Sequence, residues 1–189
     1  MDKFGDPSWH YHVAAAKVIN LLTVALVESP VINFNATDYA AGLKVYLERA
    51  KQVAISTNSS SFSFKHLDHA LDHLEAISKS FDAHAESLAS QLSDSLPWWK
   101  WWQKVKLLYQ IRKVNDQYKY LERQMLYPEG LDGRTFFKHV VFAPGRWTGY
   151  AGATFPGLIE SFEDGNSTNA ERWGNIILER LKGAIELLE

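Results

Sequence analysis

The chain contains no cysteine. That single absence excludes disulfides, thiolate metal sites and cysteine nucleophiles. It says little about compartment, because 189 residues with 46% hydrophobic content can build a core that needs no covalent staple. An excess of one charge is missing too. Twenty Lys+Arg against 22 Asp+Glu leave a formal net charge of -2, so nothing draws the molecule globally to nucleic acid or to an anionic bilayer. A long unbroken hydrophobic run is also lacking. The apolar stretch from Val13 to Val27 is interrupted by Lys17 and Asn20 and falls short of the roughly 20 residues that span a membrane. It reads as a buried helix. No signal peptide is visible, so a secretory route would require a targeting segment upstream of Met1.

What the chain has in plenty is large rings: 7 Trp, 8 Tyr and 10 Phe. Such side chains bury much area, and a surplus of them marks partner surfaces. It also carries three N-glycosylation sequons, at Asn35, Asn58 and Asn166, all near expected helix ends or loops. Three together favour a secretory, lumenal or extracellular setting.

Hydrophobic spacing predicts helices over most of the length. A first helix, capped by Asp6 with Pro7 in its first turn, runs through Trp9, Val13, Ala16, Ile19 and Leu22 and stops before Pro30. Its apolar residues lie nearly all round, which predicts a central place in a bundle. A second helix opens between Asn35 and Asp38. The polar run from Ser56 to Ser63 is a loop. A third helix follows through Leu67, Leu71, Leu74, Ile77, Phe81, Leu88 and Leu92, broken by Ser93 to Ser95 and Pro97. The fourth starts in the tryptophan cluster and carries the cleanest period, Leu107, Ile111, Val114, Tyr118, Leu121 and Met125, the seam of an antiparallel bundle. The last helix has a capping-box signature, Thr168 to Glu171, and an apolar stripe of Trp173, Ile177, Leu181, Ala184 and Leu188.

Between Tyr127 and Thr168 the texture changes. Gly130, Gly133, Gly145, Gly149, Gly152, Gly157 and Gly165 crowd this stretch with Pro144 and Pro156. Phe136 to Phe142 is the one candidate extended segment, and Leu158 to Glu163 a short helix. The expected fold is therefore all-α, a single domain over 1–189: an up-and-down bundle of four long helices with an ordered Gly/Pro-rich loop before the last. Ordered loops of this length are seldom idle, and Ala143 to Gly157 is the most informative part of the chain.

Two side-chain groups need weighing. His66, His69 and His73 share a helical stripe interleaved with Asp68 and Asp72, a spacing that permits metal binding. The stripe flanks an apolar seam, however, where polar boundary residues are expected, and no metal site is assigned to it. Trp98, Trp99, Trp101 and Trp102 cannot all face one core from a single helix. They are expected to contact a partner: a neighbouring domain or a second subunit in preference to a membrane surface. His139, among Phe137, Val140 and Val141, reads as structural. No Ser/His/Asp order, phosphate loop or di-carboxylate pair stands out.

The segment from Tyr127 to Pro144, YPEGLDGRTFFKHVVFAP, resembles the corresponding stretch of glutamate carboxypeptidase II and its relatives. So does YAGATFPG from Tyr150 to Gly157, with further similarity at Leu121 to Arg123 and at Asp6, Pro7, Tyr11 and His12. The resemblance covers most of the chain and is weakest from Ser56 to Leu108. It implies a C-terminal, transferrin-receptor-like dimerisation domain, excised from a parent with protease-like and apical domains. It also implies that two zinc ions and the catalytic glutamate belong to the protease-like domain. This chain would then have no catalytic residue, cofactor or metal of its own, and would pair as a homodimer in the parent. In peptidases of that family a Lys-Tyr pair before Ala-Gly helps hold the carboxylates of a C-terminal glutamate. The tyrosine corresponds to Tyr150, but the lysine position is Gly149, which puts the glutamate preference in doubt; Arg146 is the nearby substitute cation. Two other readings stay open: the assembly domain of a receptor-like, inactive homologue, and a free-standing helical adaptor or membrane-surface module.

Overall fold

The computed structural model describes residues 5–59, 61–93, 97–147 and 152–189. Its helices are α1 (His10–Glu28), α2 (Ala36–Ser56), α3 (Lys65–Ser93), α4 (Trp101–Leu121), α5 (Pro156–Glu163) and α6 (Ser167–Leu188). A short antiparallel hairpin, β1 (Phe142–Pro144) and β2 (Gly152–Thr154), lies between α4 and α5. The bundle is α2, α3, α4 and α6, with α3 packed against the other three. The architecture is the all-α bundle read from the sequence, with the glycine-rich insertion before its last helix.

Each bundle helix buries the stripe that its spacing dictates. On α2 the buried residues are Ala36, Ala40, Leu43, Leu47, Ala50 and Ala54, in steps of four and three. Alanine at four of these six positions lets the backbones of α2 and α3 approach without voids. On α4 the run from Leu107 to Leu121 is buried as expected, and Met125 continues it in the 3-10 turn Glu122–Met125. On α6 the stripe from Trp173 to Leu188 closes the core.

Polar contacts fix how the helices meet. Asp82 of α3 accepts hydrogen bonds from the backbone of Ala36 (3.1 Å) and Thr37 (2.9 Å), from the Thr37 hydroxyl (2.6 Å) and from the Tyr118 hydroxyl (2.8 Å). One carboxylate thus satisfies the free N–H groups at the start of α2 and ties in α4. Asn35 adds the ordinary cap, accepting from Asp38 N at 2.8 Å. Asn115 of α4 grips the α1–α2 linker, donating to Pro30 O (2.9 Å) and accepting from Ile32 N (3.0 Å). Along the α2–α3 flank Lys44 pairs with Asp72 and Glu75, and Lys51 with Asp68 and Glu48. Hydrogen bonds from Lys44 and Lys79 hold the Glu75 carboxyl down at about 2. The acids of the histidine stripe are therefore engaged by lysines, while His66, His69 and His73 are exposed.

Three expectations need correction. The first helix is not central: every residue of α1 is exposed. Apolar residues all round show that a helix favours burial, but not what buries it, and here four other helices already close the core. Asp6 does act as a cap, from further away than expected. Its carboxylate is 2% exposed and accepts from Tyr11 N (3.2 Å) and His12 N (2.9 Å), and it pairs with His12 Nδ1 at 2.5 Å. Ser8 and Trp9 turn between them with φ of 70° and 61°, a left-handed pair that is strained for side-chain-bearing residues.

The second correction is at the start of α6. Asn166, not Thr168, is the cap, accepting from Asn169 N at 3.0 Å. Gly165 ends α5 at φ 64°, so the polar residue immediately after it meets the first free N–H groups. Third, the extended segment is shifted: the strand is Phe142–Pro144. The residues before it are held by an isolated pairing of His139 with Leu126, by Tyr127 N to Lys138 O (2.7 Å) and by Val140 N to Met125 O (2.9 Å).

Candidate functional site

The glycine-rich insertion is a hairpin with a buried root. In its register Phe142 lies opposite Thr154, Ala143 opposite Ala153 and Pro144 opposite Gly152, so residues 145–151 form the connection. The root is anchored in the core. Val141 and Phe155 are fully buried, and Phe155 N donates to Val141 O at 2.8 Å. Phe155 takes a left-handed φ of 42° to cap α5, and Pro156 sits in that helix's first turn.

Gly157 then lies flat against the ring of Trp173. A Cβ on Gly157 would fall 2.3 Å from the indole, so only glycine allows this approach. The indole is fixed in turn, since Trp173 Nε1 donates to Asp132 at 2.8 Å. Asp132 also accepts from Arg172 and Asn169. Burial works to raise the Asp132 carboxyl, but these donors hold it below its ordinary range.

A ladder of alternating charges ties the hairpin to α5. Arg134 donates to Pro144 O at 2.7 Å and pairs with Glu160, which is only 6% exposed. Arg146, just past β1, lies 3.4 Å from the other Glu160 oxygen and makes a two-pronged contact with Asp164 at 2.8 and 2.9 Å. The Asp164 pairing raises the guanidinium of Arg146, and Arg146 in turn depresses the Asp164 carboxyl. On the other face His139 Nδ1 accepts from Val141 N (3.2 Å) and Phe142 N (3.1 Å), and its ring stacks on Phe142 at 5.5 Å. With Nδ1 accepting twice, the neutral ring carries its proton on Nε2, 3.6 Å from Glu122 Oε1. Burial lowers the pKa of His139 against the opposing pull of Glu122.

By contrast, Trp147, the last described residue after β1, is 85% exposed, and Phe136 is 87% exposed. Gly149 and Tyr150, the positions singled out for substrate contact, lie outside the described residues. Arg146 is described, and its fork is committed to Asp164 and Glu160, which makes it a brace for the hairpin in this state. Of the tryptophan cluster, Trp99, Trp101 and Trp102 are 64%, 50% and 68% exposed, with the last two stacked at 3.7 Å; the Trp98 side chain is outside the described set. Among the described residues no group of three or more His, Asp or Glu is placed to hold a metal ion. The arrangement presents a braced hairpin, and the described residues bring no set of reacting groups together. The ladder Arg134–Glu160–Arg146–Asp164 was not foreseen. Arg134 lies inside the family-like segment, but nothing local distinguishes it from a surface arginine.

The model of the transferrin receptor-like dimerisation domain matches residues 62–189, more than half of the chain and all of the hairpin. The chain belongs to that dimerisation-domain family. Its relatives include a "Probable glutamate carboxypeptidase" of Arthroderma benhamiae, 32% identical over 193 residues, covering 98% of this chain and 23% of that protein. The "Probable glutamate carboxypeptidase LAMP1" of Arabidopsis thaliana is 26% identical over 93% of this chain and 23% of its own length. "Aminopeptidase NAALADL1" of Rattus norvegicus is 27% identical, again over 93% of this chain and 22% of its own length. The dimerisation domain therefore spans about a quarter of the length of the curated relatives it matches.

Proposed function

We propose that this domain supports homodimer assembly of a glutamate-carboxypeptidase-like zinc metallopeptidase and completes its substrate pocket with the hairpin tip. The observation that carries the reading is the hairpin: its root is locked into the core, while Trp147, the last described residue after β1, is 85% exposed. Such a brace fixes the two strands that carry a recognition loop before it meets a ligand. In this reading Tyr150 donates its phenolic proton to the substrate's terminal carboxylate. Gly149 leaves a second carboxylate without a cation, which favours C-terminal residues other than glutamate. Arg146 serves that pocket by bracing the tip, and through its charge if the Asp164 fork opens. The two zinc ions and the hydrolytic chemistry belong to residues outside this chain. The names of the relatives support a peptidase parent, and the family supports self-association. The exposed asparagines at Asn35, Asn58 and Asn166 support a lumenal, vacuolar or extracellular location.

The test is kinetic. In the full-length protein Tyr150→Phe should lower kcat/KM about 10- to 100-fold, the loss of a hydrogen bond to a charged group. Gly149→Lys should raise turnover of glutamate-terminated over leucine-terminated peptides. Unchanged kinetics in both variants would remove the pocket reading. A parent with no peptidase activity at all would favour the receptor-like assembly role.

A further inference from the structure

The first half of α4 is apolar on two sides at once. Leu107, Ile111 and Val114 turn one side into the core. Trp102, Val105 and Tyr109, three and four residues apart, fall on the opposite side and are 68%, 49% and 72% exposed. Trp101 and Leu108 widen that outer side, and the rings of Trp101 and Trp102 stack at 3.7 Å. The helix also outruns the core. Every residue from Trp99 to Lys106 is exposed, and the first buried residue of α4 is Leu107.

Charge is sorted in the same place. From Pro97 to Asn115 the chain carries Lys100, Lys104, Lys106, Arg112 and Lys113 and no acid, although its total is -2. All five cations are exposed. By helical spacing Lys106 and Lys113 border one edge of the outer apolar side and Arg112 the other.

This combination selects its occupant. The centres of protein–protein contacts take up tryptophan, tyrosine and arginine but are depleted in lysine. Here four of the five cations are lysines, set among the rings themselves. Protein cover would have to supply an anion for each ammonium it desolvates. An anionic bilayer surface meets both needs. Indoles settle at headgroup level, while lysine stems lie along the apolar face and carry their ammonium groups to lipid phosphates. The other exposed apolar helix, α1, lacks this border, since Lys17 is its single lysine or arginine.

We infer that the outer face of α4 from Trp101 to Tyr109 is a membrane-surface anchor: it lies in the headgroup region of an anionic bilayer, rings inward and lysines on the phosphates. The inference depends neither on the hairpin nor on a peptidase activity of the parent. The tryptophans alone favoured protein cover; the basic borders of the folded helix favour lipid.

Vesicle flotation of the 189-residue chain tests it. Binding to phosphatidylcholine–phosphatidylserine vesicles should exceed binding to phosphatidylcholine alone about 10-fold or more, and should weaken as salt is added. Trp101→Ser with Trp102→Ser should lower the affinity for the mixed vesicles about 10-fold or more. Lys104→Glu with Lys106→Glu should reduce it to the level of phosphatidylcholine alone. All four positions are exposed, so helicity and unfolding midpoint should stay at parent values in both double variants. Brominated lipid should quench the fluorescence of the parent more than that of the tryptophan variant. Ile19→Glu with Leu22→Glu on α1 should leave binding unchanged. The inference is overturned by a parent that does not float with the mixed vesicles, or by parent-level binding in the lysine variant. It is also overturned by binding that the α1 variant abolishes and the tryptophan variant retains, or by a dimer of the chain that the tryptophan variant dissociates.

Discussion

Replacing Gly157 by alanine sets two effects of known size against each other. Gly157 is in the first turn of α5 with no left-handed φ, so an alanine there is favoured by about 0.5–1 kcal/mol on backbone grounds. The added Cβ, however, would fall 2.3 Å from both Cδ2 and Cε2 of Trp173 and 2.7 Å from Cε3. Trp173 is 1% exposed and held by its bond to Asp132, so it cannot swing away freely. Overpacking of this kind costs about 1–3 kcal/mol, and losing the indole hydrogen bond adds a further ~1 kcal/mol or more. Packing wins. The net loss should be about 1–3 kcal/mol, which lowers Tm by roughly 2–4 °C per kcal/mol in a domain of this size. Urea and thermal unfolding followed by tryptophan fluorescence and near-ultraviolet circular dichroism read both the stability and the indole environment. A Gly157→Ala protein as stable as the parent, or more stable, with an unchanged near-ultraviolet spectrum would refute the placement of α5 on Trp173.

Four further outcomes are expected. Arg134→Met leaves the Glu160 carboxylate buried with only the longer Arg146 contact, and should cost about 3 kcal/mol in urea unfolding. Arg146→Ala removes a partly exposed brace, so global stability should fall by no more than about 1 kcal/mol while exchange at 142–154 quickens and α6 is unaffected. Asp82→Ala takes the acceptor away from three donors at the start of α2 and from the Tyr118 hydroxyl, which predicts a loss of about 2–4 kcal/mol by thermal unfolding. His139 gives a pH signature. Its folded pKa lies below the ordinary 6.5, so the unfolded chain takes up the proton first. Its contribution is complete above pH 6.5 and is lost as pH falls from there through the folded value. His139→Gln should flatten that part of the stability–pH curve relative to the parent; an equal slope in both would assign the effect elsewhere.

How much was legible beforehand can be judged element by element. Helical spacing of apolar residues determined α2, α3, α4 and α6 and the faces they bury, because a 3.6-residue period leaves one stripe for a core whatever the partner. The clustering of glycine and proline located the insertion, and its YAGATFPG motif the family. Hydrophobic pattern alone could not place α1, because it reports that a surface avoids water and carries no address. Nor could it find the clamp of Arg134, Glu160, Arg146 and Asp164 or the capping node at Asp82, whose members are separated by long stretches of chain. Those contacts were decided only when tertiary packing brought distant charges together, since a buried carboxylate is held by whichever donors the folded backbone delivers to it.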